Sequence, residues 1–347
     1  MEYLITGIQQ CGIGTHDAHE AALYYKELFG MDTLLFDDTA EAKLMTAYTG
    51  NDIYQRRALL TMNMQGGGGF ELWQFLDRQP CSNDSTRYGD LGIFAIIIKC
   101  PDVQAAYDYF SVGEHLIVSC MSNHETGPYF WLTDKYGQVF KLVQARDLFA
   151  NNKRLCAGVC GALIGVGNMD SSLHFYKELL SLHHEEYNLQ QSNPGPQTFA
   201  NEVFHTVLLQ KKMSPAGPFS QLLGGIEIEL VQAKHYDGQK IYADRYWGDI
   251  GFIHLCFDVL DMCSLKVKAQ ELNYPFTVDS KSGFSMEKAG GRFCYVEDPD
   301  GTMIELVETY NVPILKKFGW YLNLKNRKHN KPLPSWMIKT MGLNRLK

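Results

Sequence analysis

The chain has 347 residues, 45% of them hydrophobic, and a formal net charge of −7, the profile of a globular protein of about two domains with enough length to bury real cores. Charge is unevenly placed: residues 311–347 hold seven Lys, two Arg and no acid, so this tail is +9 and the remainder −16. An acidic body argues against nucleic acid as a partner, and no uncharged apolar run reaches membrane-span length.

The first strand, LITGIQQCGIG, sits in a start that lacks the basic region and long apolar core of a secretory leader. A helix is predicted over 17–29, and a later strand ends in FELWQF. The pattern then repeats. GIFAIIIKC leads to a helix over 102–111 and ends in VFKLVQ; GVCGALIGVG leads to a helix over 169–181 and ends in IEIELVQ; GFIHLCFDVL leads to a helix over 261–273 and ends in MIELVE. Asp17, Asp102, Asn168 and Asp261 stand at the four helix starts, where a side-chain oxygen caps free amides. Tyr25-Lys26-Glu27-Leu28 recurs as Tyr176-Lys177-Glu178-Leu179, and FWLTDKYGQVFKLVQ echoes CYVEDPDGTMIELVE. The chain therefore reads as four β-α-β-β-β modules. The polar joint at 146–155 divides it into residues 1–150 (modules 1 and 2) and 151–310 (modules 3 and 4), followed by the basic tail 311–347. Nine Cys, with no CxxC pair and mostly in apolar runs, suit a reduced, cytoplasmic protein.

The stretch EDPDGTMIELVE raises a chemical question. Asp-Pro-Asp-Gly forms a turn, and in the strand that follows Met303, Glu305 and Val307 share a face opposite Ile304 and Leu306. Both faces are apolar, yet Glu305 lies among them. A buried carboxylate needs a partner or a metal.

The four modules, and most closely IHLCFDVLD through EDPDGTMIEL, resemble the vicinal oxygen chelate superfamily, which includes glyoxalase I, extradiol dioxygenases and methylmalonyl-CoA epimerase. The resemblance covers roughly residues 3–310. It implies an α+β fold in which paired βαβββ modules form half-open barrels, with metal ligands on the first and last strands of a module. In module 4 the matching positions are His254, seven residues before Asp261, and Glu305, four after Gly301. Strand parity puts Phe252, His254 and Cys256 on one face and Ile253, Leu255 and Phe257 on the other. The same ruler gives Gln10 and Glu71 in module 1, Ala95 and Lys141 in module 2, and Gly161 and Glu229 in module 3. Gln9 competes with Gln10, because a one-residue slip reverses the face.

Four-module members can pair module 1 with 4 and 2 with 3, so one pairing offers Gln10, Glu71, His254 and Glu305. The other offers only a lysine and a glutamate, which could form an ion pair. The equipped set resembles that of glyoxalase I. It implies one divalent ion (Zn, Ni, Co, Mn or Fe) and lyase or isomerase chemistry on a small oxygenated substrate through an enediolate. Glu305 is the first candidate base and Glu71 the second. A thiol or CoA conjugate is a candidate substrate form. The resemblance leaves open an extradiol-type Fe(II) dioxygenase, an acyl-CoA epimerase, and a metal-free, non-catalytic drug-binding protein. The basic tail, interleaved with Phe318, Trp320, Tyr321, Trp336 and Met337, is expected to pack on the acidic body or to touch an anionic surface.

Overall fold

The computed structural model describes residues 3–82, 86–113, 115–124, 126–192, 195–197, 202–281, 284–286, 289–325, 327 and 331–347. Module 1 contains β1 (Leu4–Gly14), α1 (Ala18–Phe29), β2 (Thr33–Glu41), β3 (Gln55–Met62) and β4 (Gly69–Phe75). Module 2 contains β5 (Gly92–Cys100), α2 (Val103–Phe110), β6 (Ile117–Val118), β7 (Ser122–His124), β8 (Gly127–Thr133) and β9 (Val139–Gln144). Module 3 contains β10 (Val159–Gly165), α3 (Met169–Glu178), β11 (His184–Gln191), β12 (Phe204–Lys211), a short α4 (Ser220–Leu223) and β13 (Ile226–Ala233). Module 4 contains β14 (Gly251–Leu260), α5 (Met262–Glu271), β15 (Val278–Asp279), β16 (Phe284–Met286), β17 (Ala289–Glu297) and β18 (Met303–Leu315). The tail adds β19 (Trp320–Asn323) and α6 (Ser335–Met341). In modules 2 and 4 the second strand is split into two short pieces, both paired to the third.

Each of the four helices begins where its cap residue stands. Asp17, Asp102, Asn168 and Asp261 accept hydrogen bonds from amides of the first turn, which satisfies donors that the helix itself leaves free. The helix then returns the chain so that the first and last strands of every module pair in parallel, as a crossover connection allows.

Two sheets result. One runs β15-β17-β18-β14-β1-β4-β3-β2 and is built from modules 1 and 4, joined by the antiparallel pair β1–β14. The other runs β11-β12-β13-β10-β5-β9-β8-β6 and is built from modules 3 and 2, joined by β10–β5. Each sheet thus draws one module from either side of residue 150, so the sequence division and the sheets are organised differently. The helices pack on the outer faces around one large core that includes Tyr25, Phe29, Phe70, Phe140, Phe175 and Phe257. The glycine run before β4 lies where the sheets touch. Gly68 bridges Val159, and a Cβ on Gly67 would meet the Gly158 backbone.

The tail covers the inner face of the first sheet. β19 pairs with β18, and Leu333, Ile338 and Met341 are buried with Leu35, Met62 and Trp73. No helix among the described residues is long and apolar enough to cross a membrane.

Candidate metal centre

Four strands of the first sheet carry the candidate ligands in two rows. Gly12 of β1 lies between Glu71 of β4 and His254 of β14, while Cys256 of β14 lies between Gln10 of β1 and Glu305 of β18. The pleat directs all four donor side chains to the concave face. Gln10 Nε2 lies 3.2 Å from Glu71 Oε2 and 3.4 Å from Glu305 Oε2, and His254 Nε2 lies 3.3 Å and 3.1 Å from the same two oxygens. All four residues are buried, His254 completely.

The seven-residue ruler has a structural basis. In every module the residue two past the first-strand position pairs with the last-strand position: Gly12 with Glu71, Ile97 with Lys141, Leu163 with Glu229, and Cys256 with Glu305. The structure brings Gln10, Glu71, His254 and Glu305 together. Across the second sheet Lys141 Nζ lies 2.5 Å from Glu229 Oε2, with the ammonium over Tyr129 and Trp131. An aromatic cluster of Tyr88, Phe94, Trp131 and Phe204 fills that concavity.

Strand parity fails where the register of β1 and β14 shifts. Phe252 does not share the face of His254; it packs against Phe140 on the helix side, and Ile253 lies in the concave cluster. The register steps from Gly12–His254 to Ile13–Phe252, leaving Ile253 as an extra residue, and such a bulge reverses alternation. A second bulge leaves Gln9 unpaired between Ile8–Phe257 and Gln10–Cys256. Gln9 and Gln10 therefore both line the cleft, Gln9 donating to Thr309 Oγ1.

The arrangement fits a cation. His254 Nε2 is near two carboxylates yet has no hydrogen-bond partner, and neither has the buried Gln10 Oε1. A half-turn of the Gln10 amide exchanges its oxygen and nitrogen. The donor atoms of Glu71, His254 and Glu305 all lie within 4.8 Å of one another, close to the span of about 4 Å set by two metal–ligand bonds. Burial opposes protonation of His254, but Glu305 and Glu71 override it and push the imidazole up to about 9. Carboxylates that would hold a proton there would equally hold a metal ion. Cys256, beside Glu305, is kept a thiol: burial and the Glu305 charge raise its pKa well above the usual range.

Neighbours fix the imidazole. Tyr295 Oη lies 3.4 Å from Nδ1, a contact that orients the ring with Nε2 toward the carboxylates. Trp247 stacks on the ring at 6.1 Å and 12°. Gly12 leaves the room the ring occupies, since a Cβ there would lie 2.6 Å from Nδ1. Sequence reasoning missed these three residues. Tyr295 was accessible through the β17–β18 hairpin, which pairs it with Glu305; Trp247 comes from a loop and has no pattern to announce it. Gln10, Glu71 and Glu305 open onto a cleft of about 220 Å³ bounded also by Phe36, Arg56, Phe293 and Val307, with His254 buried behind them.

No protein-family model and no curated protein matches the sequence. Among solved structures, the chain is similar to a Bacillus subtilis protein provisionally titled a dioxygenase, at 12% identity and TM-score 0.55, covering 88% of this chain and 86% of that one. It is also similar to glyoxalase I from Zea mays, at 13% identity and TM-score 0.51, covering 88% and 92%. The chain shares the fold of these two structures, with its paired βαβββ modules forming two curved sheets.

Proposed function

We propose that the protein is a divalent-metal-dependent, glyoxalase-like lyase or isomerase that moves a proton between adjacent carbons of a small oxygenated substrate. The observation that carries this reading is the buried set Gln10, Glu71, His254 and Glu305, in which Gln10 Oε1 and His254 Nε2 make no hydrogen bond and three members line the cleft. A divalent ion held there would supply Lewis acidity to two vicinal substrate oxygens and stabilise the charge that develops as a C–H proton leaves.

The chain's own groups do the rest. His254 and Gln10 act as holding groups, the first oriented by Tyr295 and Trp247. Glu305 takes the proton from one carbon and returns it to the next, with Glu71 placed for the same work on the other side of His254. The apolar walls formed by Phe36, Trp73, Phe293 and Val307 keep bulk water from competing for that proton. The test is deuterium exchange. Metal-loaded protein is incubated in D₂O with 2-hydroxyketones and with hemithioacetals of 2-oxoaldehydes, and proton NMR follows the α-position. Exchange that disappears in Glu305→Gln while bound metal is retained supports the role of Glu305; no exchange with any substrate of either class overturns the reading.

A second reading is an extradiol-type Fe(II) dioxygenase, motivated by the likeness to the Bacillus subtilis protein. One imidazole and two carboxylates depart from the two-histidine, one-carboxylate set of such enzymes. Catechol-dependent oxygen uptake by the Fe²⁺-loaded protein would establish this alternative in place of the first.

A further inference from the structure

The metal cleft does not end at its walls. A second chamber of about 70 Å³ adjoins it and shares Gln9, Phe36 and Val307 with it. Its lining is largely apolar, with Leu35, Leu60, Met62, Leu223, Val312 and Met341 prominent. Of its polar residues, Gln9 already donates to Thr309. It is built by module 1 strands, α4 of module 3, the start of β17, β18 with its extended end, and α6 of the tail. The tail thus completes a pocket that modules 1 and 4 alone would leave open.

We propose that the substrate carries an uncharged alkyl or aryl substituent, which occupies this chamber while its paired oxygens face Gln10, Glu71, His254 and Glu305. The proposal rests on the metal-site reading above and adds the class of the substrate's other end. Charge supports it. The cations bordering the cleft are both engaged, Lys43 with Glu41 and Arg56 with Asp38, each at 2.8 Å. A peptide-like or phosphorylated substituent would meet no free counter-ion among the described lining residues, and burying an unpaired charge is costly. An alkyl chain loses only water.

The test uses straight-chain alkanehydroxamic acids, from acetyl to octanoyl, which present two adjacent oxygens on a tail of variable length. Binding to full-length Zn²⁺-loaded and Ni²⁺-loaded protein is measured by calorimetry. Affinity should rise about fourfold for each methylene that enters the chamber and level off once it is full. Leu223→Trp, which fills the chamber, should flatten that rise and leave acetohydroxamic acid binding as before. Ala289→Leu narrows the chamber from a half-buried position and should shorten the rise even if Leu223→Trp fails to fold. Equal affinity for acetyl and hexanoyl members, or a chain-length series unchanged in the folded variants, overturns the proposal while leaving the metal site standing. No binding of any member to either loaded protein contradicts the metal-site reading itself.

Discussion

Gly12→Ala perturbs the site without removing a ligand. Gly12 lies between the strands that carry Glu71 and His254, and its φ is not in the left-handed region. Any cost of a methyl group there is therefore steric. The added Cβ would lie 2.6 Å from His254 Nδ1 and 2.7 Å from Nε2. Comfortable contact begins near 3.5 Å, so the ring must retreat by roughly 1 Å. It is fully buried between Trp247 and Tyr295, with little room to do so. Overpacking of this kind costs about 1–3 kcal/mol, and a displaced imidazole should weaken metal binding about 10- to 100-fold. Denaturant unfolding of the metal-free protein and calorimetric metal titration measure the two effects. The decisive assay is the double-mutant cycle with His254→Ala. Removing the ring makes space for the methyl, so the stability cost of Gly12→Ala should largely vanish in that background. Additivity of the two changes within about 0.5 kcal/mol would refute the steric argument.

In the second sheet, Lys141→Met should destabilise by about 3–5 kcal/mol, because it strands the buried Glu229 carboxylate; Lys141→Met with Glu229→Leu should recover most of that in urea unfolding. Tyr295→Phe removes the partner of His254 Nδ1 and should raise the metal dissociation constant about 10- to 100-fold, measured by competition with a chromophoric chelator. Asp258 accepts a hydrogen bond from the Thr6 hydroxyl; burial outweighs that bond and pushes its pKa up to about 7 from an ordinary 3.8. The folded state therefore keeps a proton that the unfolded chain releases. The associated stability is full below about pH 4 and is lost as pH rises through 7. Asp258→Asn should flatten that part of the profile and stabilise the protein at pH 8, by thermal melts across pH.

The fold was legible because its cues were local and repeated. Four strand-then-cap starts and the echoed Tyr-Lys-Glu-Leu helices fix a module, and the last strand of each module pairs with its first at a constant register. That register is why counting back from a cap finds His254 and Gln10. What alternation could not supply were the bulges at Gln9 and Ile253, which depend on how β1 and β14 meet across more than 240 residues of sequence. Gly12 looked like any strand glycine until the imidazole beside it was placed. The inner chamber was hidden for a similar reason: α4, β18 and α6 converge there only in three dimensions.

The central claim is that this cleft holds a metal ion. Elemental mass spectrometry of protein purified without chelator or metal-binding tag tests it most directly, alongside the His254→Ala/Glu305→Ala double mutant. The account predicts close to one divalent transition metal per chain in the wild type and a large loss in the mutant. Metal-free wild-type protein that stays empty after incubation with Zn²⁺, Ni²⁺, Co²⁺, Mn²⁺ and Fe²⁺ would contradict it.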